Sequence, residues 1–229
     1  MLVQTMDISG IDYLGIDRVI KRGSGEIIIQ TEKALLVKDT VSEAYMLACE
    51  ETEIAMALFD RYLKEDCRLL MTSDNEIGKA VFKKYGFLEK LECYQVAYYG
   101  EKPVINCELS FKTAEKNDLD ILIENYDLIS PQELEKVVKR KSIVLAYEKD
   151  HLVGFMGEHL EGSMGLLYVF PKYRKKGFGM ALQTYFIRKT MEKGYVPFGQ
   201  VEKENQKSLH LQKKIGMTKS ENLIMWMWK

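Results

Sequence analysis

Leu167-Tyr168-Val169-Phe170-Pro171-Lys172-Tyr173-Arg174-Lys175-Lys176-Gly177-Phe178-Gly179-Met180 is the stretch that decides how this chain is read. An apolar run of strand formers stops at Pro171, a basic turn follows, and two glycines open a segment rich in helix formers. Gly177 and Gly179 allow the backbone to approach a ligand closely. A helix beginning there carries unpaired N–H groups and the positive end of its dipole, a combination suited to a pyrophosphate. Arg174, Lys175 and Lys176 add charge beside it. A dinucleotide fingerprint needs a third glycine where Leu182 stands, and a phosphate-binding Walker loop needs Gly-Lys-Ser/Thr, which is absent. The plain alternative is a surface turn with a basic face.

Working outward, the second half alternates elements. Ile105–Lys112, Ser142–Tyr147, Leu152–Gly157, Gly165–Val169, Val196–Val201 and Leu223–Trp228 read as strands. Asp118–Tyr126, Pro131–Lys139, Gly179–Lys193 and Asn205–Lys214 read as helices, with Ser130 and Pro131 as cap and first-turn residues of one of them. The first half has strands at Glu26–Gln30, Ala34–Val37, Glu43–Cys49, Cys67–Met71 and Glu92–Tyr99. Helices are predicted over Glu53–Leu63 and Asn75–Tyr85. Asn75 and Asn205, Lys83-Lys84 and Lys213-Lys214, and Gly86 and Gly216 recur at one constant separation, each in a strand–helix–Gly–strand context. The spacing predicts a tandem α/β (α+β) repeat, residues 1–102 and 103–229, joined near Gly100 and Pro103.

Composition narrows the rest. With 33 Lys+Arg against 34 Asp+Glu the chain is nearly neutral, so neither nucleic acid nor an anionic membrane is an expected partner. No run reaches the roughly 18 apolar residues of a membrane span. Met1–Gly10 lacks the basic start and apolar run of a signal peptide. Cys49, Cys67, Cys93 and Cys107 are widely spaced and read as buried thiols, which points to the cytoplasm. His151, His159 and His210 have no metal-ligand spacing, so no metal is expected, and His210 reads as a helix-surface residue.

Arg174-Lys175-Lys176-Gly177-Phe178-Gly179 fits the Arg/Gln-x-x-Gly-x-Gly/Ala signature of the GNAT N-acetyltransferase superfamily. Leu167–Pro171 resembles that family's fourth strand, and Asn205 with Gly216 its later strand–helix segment. The likeness covers about Val104 to Lys229, and GEHLEGSMGLLYVFPKYRKKGFG is similar to the glycine N-acyltransferase-like branch. The resemblance implies tandem GNAT-like domains, each a mixed, mostly antiparallel sheet flanked by helices. It implies acetyl-CoA as acyl donor. The main chain of Leu167, Tyr168 and Val169 would pair with the pantetheine arm and polarise the thioester carbonyl. The backbone of Lys175, Lys176, Gly177, Phe178, Gly179 and Met180 would wrap the pyrophosphate, with Arg174 alongside. Asn205 would hydrogen-bond the pantetheine.

The family's proton-transfer positions are occupied by amides, Gln212 in place of a tyrosine acid and Gln200 near a glutamate base; neither titrates near neutral pH. Glu158 is the remaining carboxylate, at the end of a strand pair, and is the expected base; a solvated turn glutamate is the alternative. Tyr168 is a further hydroxyl. In the first half only Glu50-Glu51-Thr52 separates strand from helix, so that repeat resembles a GNAT half unable to hold CoA in the usual way. The function expected is acyl transfer from acetyl-CoA to the amine of a small molecule or amino acid; a non-catalytic acyl-CoA-binding or regulatory module is the alternative. A homodimer is among the expected assemblies.

Overall fold

The computed structural model describes residues 5–63, 66–105 and 107–229. The first four residues of the start read above as no signal peptide, and Asn106 of the expected strand Ile105–Lys112, lie outside the described residues. A 3-10 turn at Ile11–Tyr13 leads into α1 (Leu14–Lys21), then β1 (Gly25–Gln30), β2 (Ala34–Asp39), β3 (Tyr45–Cys49), α2 (Thr52–Tyr62), β4 (Leu69–Thr72), α3 (Asn75–Tyr85) and β5 (Glu89–Ala97). There follow β6 (Leu109–Thr113), α4 (Leu119–Asn125), α5 (Pro131–Lys139), β7 (Ile143–Glu148), β8 (His151–Glu158), β9 (Met164–Val169), α6 (Phe178–Glu192), β10 (Phe198–Glu202), α7 (Gln206–Ile215) and β11 (Thr218–Trp228). Every strand and helix expected from the pattern has a counterpart here. α1 was not foreseen, because Gly15 interrupts its short apolar stripe of Leu14, Ile16 and Val19, all buried.

The chain forms two compact units that interleave in sequence. One comprises Met1–Ala97, Gln200–His210 and Thr218–Lys229; the other comprises Tyr98–Gly199 and Leu211–Met217. In the first unit β1, β2 and β3 pair antiparallel in that order, and β4 joins β3 in parallel. β11 then pairs antiparallel with β4 on one side and with β5 on the other. In the second unit β6, β7, β8 and β9 form an antiparallel meander. β10 meets β9 in parallel at the register pair Gly199↔Met164.

The first unit's core explains its order. Leu36, Leu47, Leu70, Met225 and Met227 project from β2, β3, β4 and β11 into one apolar layer covered by α2 and α3. There Phe59 stacks on Tyr85 with ring centroids 3.8 Å apart and meets Phe87 edge-on at 5.9 Å. Asp74 caps α3 by accepting from the Ile77 N–H at 2.8 Å, and Gly86, at φ 68°, ends it in the left-handed conformation. In the second unit Ser130 caps α5 by accepting from the Glu133 N–H at 3.1 Å, with Pro131 in the first turn.

α3 lies close on the sheet at Gly78. A Cβ there would come within 2.6 Å of Thr72 Oγ1 and 2.9 Å of Met225 Cβ. Alanine raises helix propensity by about 1 kcal/mol in an exposed helix, but these contacts leave no room for a methyl. Gly78→Ala should therefore destabilise the chain by about 1–3 kcal/mol in denaturant titration. A gain in stability would show that propensity outweighs packing.

Candidate functional site

The site is built on β9 and the turn that follows it. In the β8–β9 ladder Phe155 faces Tyr168, while Gly157 faces Gly165, so two residues of β9 stand opposite Met156 alone. This is a β-bulge, and Leu166 within it has φ 53°, a left-handed conformation unfavourable for a leucine. The bulge breaks the regular ladder and re-aims main-chain groups of β9. Its neighbours are shaped to hold it. A Cβ on Gly157 would lie 2.9 Å from Leu166 Cδ1, and one on Gly154 would lie 2.4 Å from the Tyr168 carbonyl oxygen. The Tyr126 hydroxyl contacts the main chain of Leu166, which favours its ionised form, but burial dominates and pushes the phenol up to about 12.

Side chains alternate along the strand. Leu167 and Val169 lie against the start of α6, within 4.0 Å and 3.7 Å of the Cβ position of Gly179. Tyr168 stacks on Phe155 at 5.3 Å, and Phe155 meets Tyr126 at 6.1 Å. Tyr126 also lines a cleft of about 420 Å³ with Ile123, Leu128, Ile129, Pro131 and Leu134, at the connection of α4 to α5. Tyr126 is thus common to this cleft, which Asp127 and Ser130 also line, and to the strained point of β9, a link that no local pattern around residue 126 announces.

β9 ends at a 3-10 turn, Pro171–Tyr173, followed by two left-handed residues, Lys175 at φ 64° and Gly177 at φ 85°. Alternating backbone of this kind turns successive N–H groups toward one side. Gly177 is the N-cap of α6 and brings no side chain to bond the first-turn N–H groups. Nothing would meet a Cβ on Gly177, so its requirement is conformational; Gly179 has space around it. Arg174 folds back, its Nε donating to the Val169 carbonyl at 3.0 Å and its guanidinium lying 5.8 Å from the Tyr168 ring. Lys175 is exposed, and Lys176 Nζ is 4.0 Å from Glu148. Phe178, Gly179 and Met180 are half-buried in the opening turn of α6.

The other expected residues have defined places. Asn205 belongs to the first unit, where its Oδ1 accepts from the Ser208 N–H at 3.0 Å and starts α7. Gln200, also in that unit, accepts from Trp226 Nε1 at 2.6 Å. Gln212 is buried and forms a reciprocal amide pair with Gln183, whose Nε2 also lies 3.4 Å from Met217 Sδ. An amide N–H is not acidic near neutral pH, so neither glutamine can protonate a leaving group. Glu158 pairs with Lys193 at 3.7 Å, at the end of α6 remote from Gly177.

His159 is the residue that sequence reading passed over. Its Nε2 lies 2.4 Å from the Cβ position of Gly165, so the imidazole rests on the glycine just before the bulge. Burial pushes the Glu133 carboxyl above its usual range; the charge of His159 opposes that shift and Glu161 adds to it. Glu161 is buried and accepts from Ser163 Oγ. The only sequence signal was glycine at 165, which has no meaning until the ring above it is seen. Among the described residues no group of three or more His, Cys, Asp or Glu is arranged to hold a metal, and no helix is long and apolar enough to cross a membrane. In the first unit Glu51, which pairs with Lys33, is the N-cap of α2, and among the described residues the connection from β3 to α2 contains no glycine.

Residues 143–226 match the family described as FR47-like protein. No curated protein matches the chain. A solved Drosophila protein is 13% identical, covering 100% of this chain and 98% of its own, with a TM-score of 0.63. A GCN5-related N-acetyltransferase-like protein from Streptococcus suis is 13% identical over 93% of each chain, with a TM-score of 0.57. A GCN5-related N-acetyltransferase from Kribbella flavida is 10% identical, covering 96% of this chain and 94% of its own, with a TM-score of 0.57. Residues 143–226 thus resemble the FR47-like family, and the chain shares the fold of these solved GCN5-related N-acetyltransferase structures.

Proposed function

We propose that the chain transfers an acyl group from acetyl-CoA, or a related acyl-CoA, to the amine of a small molecule or amino acid. The observation that carries this reading is the pair of left-handed residues, Lys175 and Gly177, that opens α6 directly after a bulged strand. The backbone N–H groups of residues 175–180 fit a pyrophosphate, and Arg174, Lys175 and Lys176 add charge at its rim. The main chain of Leu167, Tyr168 and Val169 fits the pantetheine arm. In the reaction the amine nitrogen attacks the thioester carbonyl, the C–S bond breaks, and CoA leaves as the thiolate while the amine proton passes to a base. The cleft beside Tyr126 supports an acceptor with an apolar body. The buried thiols of Cys49, Cys67 and Cys93 support a reducing compartment such as the cytoplasm.

Two adjacent residues compete for the base role. Glu158 ends β8, and His159 follows it in the turn toward β9. Glu158 meets Lys193, whereas His159 rests on β9 beside the bulge, with Glu133 in electrostatic reach. We assign the proton to His159, whose imidazole offers a ring nitrogen that can accept it. The Gln183–Gln212 pair favours a second reading, a non-catalytic acyl-CoA sensor, because the position of a family acid is a locked amide.

Thiol release from acetyl-CoA in the presence of amines and amino acids separates the two; turnover above the uncatalysed rate excludes the sensor. Gly177→Val should abolish thermal stabilisation by CoA, because valine strongly disfavours the left-handed cap. Stabilisation equal to that of the unaltered chain would remove the turn from the site. His159→Gln should lower kcat roughly 10²–10⁴-fold with little change in donor KM, and Glu158→Gln less than about tenfold. The reverse order would return the role to Glu158.

A further inference from the structure

The cleft beside Tyr126 discriminates by charge as well as by shape. Its apolar walls are Ile123, Leu128, Ile129, Pro131 and Leu134, and Leu128 is 77% exposed. A large apolar side chain left open on a concave surface is a place for the apolar body of a ligand. Tyr126 spans from this cleft to the main chain of Leu166, so a ligand lying along it has one end at the bulge of β9.

The charge lining the cleft is of one sign. Asp127 lines it, and among the described residues no lysine, arginine or histidine does. After burial, Asp127 and Glu133 also push the Tyr126 phenol up, so two carboxylates act on the hydroxyl that meets Leu166. Around Glu133 itself, Glu161 adds negative charge while His159 and Lys136 oppose it. The start of α5 is where a ligand carboxylate would otherwise be drawn, since helix N-termini attract anions. Its donors are already committed. Pro131 has no N–H, the Glu133 N–H goes to Ser130 Oγ at 3.1 Å, and the Leu134 N–H goes to the Ser130 carbonyl at 3.0 Å. Glu133 in the first turn supplies the negative charge that the helix dipole favours there.

We infer that the cleft selects a primary amine with an apolar body and no carboxylate beside the nitrogen, its ammonium group drawn by Asp127 and its body held by Leu128 and the neighbouring wall. This deepens the acyl-transfer reading by naming the acceptor class, and it rests on that reading for the reaction but not for the binding preference. An α-amino acid carries its carboxylate on the carbon next to the amine, which brings like charges together at Asp127. A small hydrophilic amine has the charge but nothing to cover the apolar wall.

The test is calorimetric titration of the full chain at pH 7, with and without saturating CoA, using phenethylamine, phenylalanine and phenylalaninamide, which share one aromatic body. Phenethylamine and the amide should bind at least about tenfold more tightly than phenylalanine. Asp127→Asn, at an exposed position, should leave Tm unchanged and shrink that ratio to about threefold or less. Leu128→Ala should weaken phenethylamine binding by about threefold or more. Phenylalanine bound as tightly as phenethylamine, no binding of either with or without CoA, or a ratio untouched by Asp127→Asn would each overturn the proposal. Thiol release from acetyl-CoA then separates the two readings. Selective amine binding without thiol release overturns acyl transfer and keeps the amine site, whereas release with phenylalanine favoured keeps acyl transfer and overturns the acceptor class.

Discussion

The fold of the first unit depends on the hydrogen bonding of β11 along both its edges. β4 and β5 are not neighbours; Trp226 lies between Met71 on one side and Leu91 on the other. Without β11 both strands would present a row of unpaired N–H and C=O groups, and Met225 and Met227 would leave the core. A unit begun by the first residues is therefore completed by the last ones. The apolar end Met225-Trp226-Met227-Trp228 is explained by that insertion.

In the second unit the corresponding constraint is the bulge at Leu166. A leucine with positive φ is costly and persists only where its surroundings over-determine it. Here glycines at 154, 157 and 165 admit the close approach of neighbouring atoms, and Tyr126 contacts the Leu166 main chain. The strain sits next to the glycine turn that opens α6, so one short segment provides both features that the proposed acyl transfer uses. Catalysis of this kind rests on positioned backbone dipoles and tolerates the exchange of nearby side chains. That is consistent with the amide pair Gln183–Gln212 at a position where a tyrosine would act as acid.

Much of this was legible in the residues. Strand and helix periods placed almost every element, and α3 and α5 begin and end where Asn75–Tyr85 and Pro131–Lys139 were read, because Gly86 and the Ser130-Pro131 cap are local signals. The glycine turn was equally visible, since Gly177 is needed for a conformation set by its own dihedral angles. The short α1 was not visible, as its stability comes from burying Ile16 and Val19 rather than from propensity. Asn75 is the first residue of α3, and Asn205 directly precedes α7. Asn205 caps α7, whereas Asp74, one residue earlier, caps α3.

The sequence by itself determined the class of fold, the order of elements and the glycine turn within residues 174–180, because these depend on period, capping and backbone freedom within a few residues. Only the tertiary structure decided which side chains face one another. It set Glu158 against Lys193 and His159 upon Gly165, though the two are adjacent in sequence. It brought Gln95 against Ile11 and Gln200 beside Gly15, each from a distant segment. The physical reason is that strand alternation fixes opposite faces but not what covers each face. The partners of a buried polar atom come from whichever segments the folded chain brings beside it, and no local pattern records them.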